Sequence, residues 1–167
     1  MLWQNSKAAV KDLNATLPEG VRVVKSLFGN EYRVVNKIDG YEFKVPQEWR
    51  GIEEIAYTPR ESLEKYTLST IEVIGYEGQE RFVSVNSFQK ENDGLNLMQW
   101  AQKNFETFGL EGNFQQERVG KIDVVKTQEG TSLAGMYVYF FENTSMTYAI
   151  TNASEDYVRK IIMSGKW

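Results

Sequence analysis

Apolar residues alternate with polar ones along much of the chain, which is typical of half-buried β-strands. In the segment 41–45 three apolar residues alternate with Glu42 and Lys44, and Pro46 ends the pattern. The other strand-like segments are rich in β-branched and aromatic residues, and they are 21–28, 31–37, 52–58, 68–76, 81–88, 114–119, 121–128, 135–142 and 146–152. Gly29–Asn30 is typical of a two-residue turn, so the first two segments predict a hairpin.

Two segments have the periodicity of amphipathic helices. In the segment 96–108 apolar residues recur at spacings that place them on one helical face. Asn96 can cap this helix together with Gln99, and Gly109 suits a left-handed end. A last helix is predicted over 154–163, because apolar residues again recur every three or four positions there.

The order of these elements predicts an α+β fold, with a curved antiparallel β-sheet covered by helices. Residues 136–141 are apolar at both odd and even positions, which indicates a central strand covered on both faces. We expect residues 21–167 to form a single domain. Residues 1–20 are interpreted either as a short helix that Pro18–Gly20 ends or as a flexible tether, and the pattern does not decide between the two.

Composition excludes several classes of function. The chain has no cysteine and no histidine, which excludes Ser-His-Asp and Cys-His hydrolases and ordinary structural zinc sites. The net charge of −4 lacks the cationic footprint that nucleic-acid binding requires. No apolar run approaches the roughly 20 residues of a membrane helix. Residues 1–7 do not have the pattern of a signal peptide, so we expect either a cytoplasmic protein or a leader or lipid anchor that precedes residue 1.

Three local patterns in this order resemble the PsbP-like (Mog1/PsbP) superfamily. They are Gly-Tyr-Glu-Phe-Lys-Val-Pro-Gln-Glu-Trp at 40–49, Leu-Met-Gln-Trp-Ala at 97–101 and Ile-Ile-Met-Ser-Gly-Lys-Trp at 161–167. The resemblance covers about residues 33–167 and implies an α/β/α sandwich. Its members include photosystem II accessory proteins, Ran-binding nuclear transport factors and bacterial envelope lipoproteins. The metal sites proposed for plant members involve histidine, so the resemblance implies no metal site here.

Trp49, Arg50 and Glu53 are the candidate binding residues. A tryptophan beside an arginine can anchor a protein partner. The favoured alternative for Trp49 is a ring that plugs the edge of the sheet, because aromatic side chains dominate protein cores. The resemblance supports this alternative.

Other candidate chemistry is better explained by structure. The carboxylates of Glu53, Glu54, Glu91, Asp93 and Asp123 are interpreted as solvated surface groups. The segment 91–94 lacks the alternating ligands of a calcium loop, so a turn before the helix is favoured, and no metal or cofactor is expected. Three aromatic residues of the predicted helix could line a pocket for an apolar ligand, and they are Trp100, Phe105 and Phe108. Packing of this helix against the sheet is the favoured alternative.

The expected function is therefore a non-catalytic binding or accessory domain of a bacterial envelope protein. We expect a protein partner and an extracytoplasmic location, either tethered to a membrane or secreted. One alternative is a carrier of a small apolar ligand, which needs an enclosed cavity between helices and sheet. The other is a small enzyme that uses only carboxylates, Tyr, Lys or Ser, with several perturbed pKa values in one concave site.

Overall fold

Two antiparallel β-sheets form the framework of the protein in this computed structural model, which describes residues 10–59, 67–76, 81–128 and 135–167. The smaller sheet has the order β1-β2-β3 and comprises β1 (Val21–Lys25), β2 (Tyr32–Asn36) and β3 (Tyr41–Lys44). The larger sheet has the order β4-β5-β6-β10-β9-β8-β7 and comprises β4 (Glu54–Pro59), β5 (Thr67–Ile74), β6 (Phe82–Gln89), β7 (Phe114–Val119), β8 (Ile122–Thr127), β9 (Tyr137–Glu142) and β10 (Met146–Asn152).

Three α-helices accompany the sheets in the part of the chain that the structure describes. They are α1 (10–15), α2 (Leu97–Thr107) and α3 (Glu155–Ser164), and a short 3-10 helix covers Gln47–Trp49. The predicted α+β class, the antiparallel pairing and the helices near 96–108 and 154–163 are confirmed.

The strands divide into two sheets where the sequence analysis expects one. After β3, Pro46 and the 3-10 helix turn the chain away from the smaller sheet. Arg50 and Gly51 both have positive φ, at 57° and 126°, so the turn continues until β4 begins in the larger sheet. The predicted two-residue turn at Gly29–Asn30 is also longer, because the last register pair is Lys25 with Tyr32 and residues 26–31 form a loop.

Strand β9 separates two hydrophobic clusters. Tyr139 and Phe141 point into the larger cluster, which also contains buried residues of α3 and of the smaller sheet. Val138 and Phe140 point into the smaller cluster, which contains Ala101 and other residues of α2. The prediction of a central strand covered on both faces is therefore confirmed, with α2 on one face and α3 and the smaller sheet on the other.

Helix α2 begins as the sequence predicts. The Gln99 backbone N–H donates to Asn96 Oδ1 at 2.9 Å, and the Asn96 N–H donates to Gln99 Oε1 at 3.0 Å, which completes a capping box. Gly109 adopts the expected left-handed conformation at φ 69°. Phe108 departs from the expectation, because the helix ends at Thr107 and the Phe108 side chain is 46% exposed instead of packing in the core.

The Asn14 side chain joins helix α1 to the first strand by two hydrogen bonds. The Val23 N–H donates to Asn14 Oδ1 at 2.7 Å, and Asn14 Nδ2 donates to the Val23 carbonyl at 3.0 Å. Leu13 and Leu17 pack against the larger cluster. Residues 10–15 thus agree with the helix alternative, whereas residues 1–9 lie outside the described chain and the boundary at residue 20 stays a prediction.

Trp167 closes the larger cluster among four aromatic rings. Its ring centroid lies 5.2 Å from that of Tyr41 and 4.9 Å from that of Phe141, and Phe43 and Tyr148 complete the group. The Trp167 indole N–H donates to the Ile162 carbonyl at 3.0 Å. This segment is also joined to β3, because backbone hydrogen bonds connect residues 42 and 166 in both directions.

We expect Asn14→Ala to lower the free energy of unfolding by about 2 kcal/mol, since two hydrogen bonds worth about 1 kcal/mol each are lost. Urea denaturation measures the change. Lys11→Ala is the matched control, because Lys11 is an exposed residue of the same helix. Equal stability of the two variants would show that Asn14 does not hold α1 on β1.

We expect Trp167→Ala to cost about 3 kcal/mol of unfolding free energy, the lower end of the range for removing a large aromatic side chain from a core. Met163→Ala, an exposed position on α3, should change stability by less than about 0.5 kcal/mol. The denaturation midpoints of both variants are compared with that of the wild type. A midpoint of Trp167→Ala close to that of Met163→Ala would mean that the ring adds little to the core.

Candidate functional site

The three sequence-predicted binding residues do not share one environment. Trp49 is fully buried, and its ring packs edge-to-face on Tyr157 with centroids 5.5 Å apart. A Cβ added at Gly75 would lie 2.8 Å from the Trp49 Cβ, so the backbone of that neighbouring segment is pressed against the tryptophan. A ring enclosed in this way is not available to a partner.

Arg50 and Glu53 are exposed on the turn that leads into β4. Glu53 lines an open groove of about 500 Å³ between α1 and β4, together with Asp12 and Glu54. The groove is acidic and its apolar lining includes Ile55. A binding role for Arg50 and Glu53 stays a prediction, and it no longer includes the Trp49 ring.

A more defined pocket lies between α2 and β6. Its floor is aromatic, because the rings of Phe88 and Trp100 meet edge-to-face at 5.0 Å and Trp100 meets Phe140 at 5.9 Å. Phe108 lines one side, and the cavity has a volume of about 160 Å³. Trp100 and Phe108 line this pocket, while Phe105 is buried in the smaller cluster and Trp100 packs against it, which agrees with the favoured packing of the helix on the sheet. Binding of an apolar ligand stays a prediction.

Two charged residues, Glu91 and Lys103, line the pocket, and Asp93 lies beside Lys103 at its edge. Lys103 Nζ lies 3.4 Å from Asp93 Oδ2 and 3.6 Å from Glu91 Oε2. The backbone N–H of Leu95 and the ammonium of Lys103 lower the pKa of Asp93, and the bond to Asp93 with the charge of Glu91 raises the pKa of Lys103. Asp93 and Lys103 thus keep their charges at neutral pH, and two carboxylates face one ammonium at this edge of the pocket.

The acidic turn at 91–94 leads into α2, as the sequence analysis favours. Asp93 Oδ1 accepts a hydrogen bond from the Leu95 N–H at 3.1 Å. Asp123 pairs with Arg118 at 2.9 Å on the surface of β7 and β8. Among the residues that the structure describes, no group of three Asp or Glu is arranged to hold a metal ion.

A cluster of five polar residues beneath α3 was not predicted from the sequence patterns. Lys126 Nζ lies 2.6 Å from Glu155 Oε1 and 3.5 Å from Glu117 Oε2. Arg159 Nη2 lies 2.6 Å from Glu117 Oε1, and the Tyr139 hydroxyl donates to Glu155 Oε1 at 2.8 Å. The alternation of side chains along β8 indicates one member of the cluster, because Lys126 lies on the same face of the strand as the buried Val124.

Ion pairing explains the protonation states of this cluster. Partial burial opposes ionisation of Glu155, but hydrogen bonds from Lys126 and Tyr139 outweigh it and lower the pKa of Glu155. Burial and the bond to Glu155 raise the pKa of Tyr139 above its usual range, and the bond to Glu117 raises the pKa of Arg159. Glu155, Tyr139 and Arg159 therefore keep their ordinary charges at neutral pH, and none of these three is poised for proton transfer there.

We expect Lys126→Met to cost about 2 kcal/mol of unfolding free energy at pH 7. This is less than the roughly 3–5 kcal/mol for breaking a fully buried pair, because the Glu155 side chain is 30% exposed. A carboxyl with a lowered pKa stabilises the fold above its unfolded value, and that contribution disappears as pH falls through the folded pKa. The difference from wild type should therefore shrink below the ordinary Glu value of 4.5.

Urea denaturation at several pH values measures this difference, with Lys121→Met as a control at an exposed lysine beside β8. A loss in Lys126→Met that stays the same from pH 7 to pH 3 would show that packing, and not the ion pair, is responsible.

Within the described ranges, no helix combines the length and the apolar character that a membrane span needs. Comparison with known proteins finds no matching family model, curated protein or solved structure. The resemblance to PsbP-like domains consequently stays a prediction, and the geometry of the described residues carries the functional argument.

Proposed function

We propose that this chain is a non-catalytic binding domain that holds one apolar side chain of a protein partner in the pocket between α2 and β6. The observation that carries the proposal is the pocket itself, with the buried ring of Phe88 and the partly exposed ring of Trp100 as its floor and the exposed ring of Phe108 beside them. Aromatic residues in partly exposed pockets are typical anchor sites of protein interfaces.

The size of the pocket favours an anchor side chain over a free ligand. Its volume of about 160 Å³ is close to that of a cavity that accepts a single benzene ring, about 150 Å³. Pockets for drug-sized ligands usually measure about 300–1,000 Å³. A phenylalanine, leucine or methionine side chain fits this space, and the rest of the partner remains on the surface.

The charge of the rim indicates what flanks the anchor. Glu91 and Asp93 outnumber Lys103 by one charge, so a basic residue next to the apolar side chain is favoured. The same ion pairs hold α2 and the preceding turn together, which keeps the mouth of the pocket in place before a partner arrives. We therefore propose a partner segment in which lysine or arginine is adjacent to an apolar residue.

We propose further that the domain is an accessory module of the PsbP-like type, displayed outside a bacterial cytoplasmic membrane. The support is the resemblance in the segments 40–49, 97–101 and 161–167, together with helices packed on both faces of the larger sheet. The enzyme alternative is less favoured, because the groups beneath α3 are paired with one another.

We expect the dipeptide acetyl-Phe-Lys-amide to bind with a dissociation constant of about 5–10 mM, since burying one ring provides roughly 3 kcal/mol. Nitrogen-15 NMR titration measures saturable shifts, including that of the Trp100 indole N–H. Acetyl-Phe-Glu-amide should bind less tightly and acetyl-Ser-Lys-amide should not saturate.

Phe108→Ala should weaken binding of acetyl-Phe-Lys-amide about fivefold or more, because it removes one wall of the pocket. Tyr76→Ala is the matched control, an exposed aromatic residue that lines the groove beside β4. Shifts that do not saturate, or equal binding by Phe108→Ala and wild type, would contradict the proposed anchor site.

A further inference from the structure

The loop between β1 and β2 presents two adjacent apolar side chains to solvent. Leu27 is 73% exposed and Phe28 is 92% exposed, the two highest values among the large apolar side chains of the described residues. Neither residue belongs to the two hydrophobic clusters, so their exposure does not arise from core packing. Contiguous exposed apolar residues usually mark an interaction site.

The loop is closed at its base and convex at its tip. The Ser26 N–H donates to the Glu31 carbonyl at 2.9 Å, and the Ser26 hydroxyl donates to the Phe28 carbonyl at 3.0 Å. Gly29 has φ 93°, which gives the sharp turn, and no other atom lies within 4 Å of a Cβ built there. The two side chains therefore protrude from a hydrogen-bonded hairpin loop.

Basic residues surround the base of this tip. Lys25 ends β1, with its Nζ 5.4 Å from the centroid of the Tyr32 ring, and Arg33 lies opposite Lys44 in the register of β2 and β3. Lys44 forms an ion pair with Glu31, with 3.0 Å between Lys44 Nζ and Glu31 Oε2. Arg33 Nη1 likewise lies 3.4 Å from Glu42 Oε1. Three basic and two acidic residues therefore lie at this end of the sheet, a charge of +1 in a chain of net charge −4.

We propose that this tip binds the surface of an anionic lipid bilayer. Leu27 and Phe28 enter the boundary between headgroups and acyl chains, and Lys25, Arg33 and Lys44 face the headgroups. A bilayer accepts a convex apolar tip without a preformed pocket, and its negative charge complements the basic base of the hairpin. With two apolar side chains and a few charges the contact is weak and reversible.

This proposal is independent of the partner pocket. The pocket belongs to the face of the larger sheet that α2 covers, and the tip belongs to the smaller sheet on the other face. Binding at the tip uses no residue that lines the pocket. Failure of either experiment therefore leaves the other proposal untouched.

Co-sedimentation with vesicles tests the proposal. Vesicles of phosphatidylcholine alone are compared with vesicles in which a quarter of the lipid is phosphatidylglycerol. We expect wild-type protein to bind the anionic vesicles preferentially and to dissociate at about 1 M salt, where the Debye length is about 3 Å. The variant Leu27→Ser/Phe28→Ser should lower the partition coefficient at least tenfold, because it removes both apolar side chains.

Two further variants make the test specific. Ile38→Ser is the matched control, an exposed apolar residue in the turn at the opposite end of the same sheet, and it should bind like wild type. Lys25→Gln should weaken binding to anionic vesicles about fivefold and leave stability unchanged. Circular dichroism confirms that each variant is folded.

Three outcomes would overturn the proposal. The first is no preference of the wild type for anionic vesicles, and the second is full binding by the double serine variant. The third is self-association without lipid that the double serine variant abolishes, which would assign the tip to contact between copies of the chain.

Discussion

The burial of both faces of β9 is the constraint on which the rest of the structure depends. Tyr139 and Phe141 leave one face of the larger sheet apolar, and Val138 and Phe140 do the same on the other face. Each face needs a cover, because exposed apolar surface of this extent is unfavourable in water. Helix α2 covers one face, and α3 with the smaller sheet covers the other.

The two faces of the larger sheet are not covered equally well. The larger cluster is closed by α3, by the three strands of the smaller sheet and by the rings of Trp49 and Trp167. On the opposite face α2 has only 11 residues and buries Ala101 and Phe105, which leaves Trp100 and Phe108 partly exposed. The pocket thus lies where a short helix ends before it has covered the sheet, and this is why Trp100 and Phe108 are apolar residues that the core leaves partly exposed.

Local sequence patterns could predict elements, but not the contacts between distant ones. The capping box of α2 and the two-faced apolar pattern of β9 depend on neighbouring residues, and both are confirmed. The division into two sheets depends on the turn after β3, and the exposure of Phe108 depends on where α2 ends, so neither follows from periodicity. Glu117, Lys126 and Glu155 are far apart in sequence, and only their meeting in the fold makes them a cluster.

The exposed apolar residues of both proposed contacts, Phe108 and the Leu27–Phe28 tip, lie outside the two hydrophobic clusters. The sequence could not decide whether Trp49 is a buried ring or an exposed anchor for a partner, because a tryptophan beside an arginine is compatible with both. Solvent exposure in the structure decides between the two roles. The buried Trp49 ring stabilises the fold, whereas Phe108 and the Leu27–Phe28 tip have apolar surface that the fold leaves uncovered. Substitution of these exposed residues costs little packing, so a loss of binding there can be measured apart from a loss of stability. Both proposed contacts therefore remain accessible to mutation in a protein that stays folded.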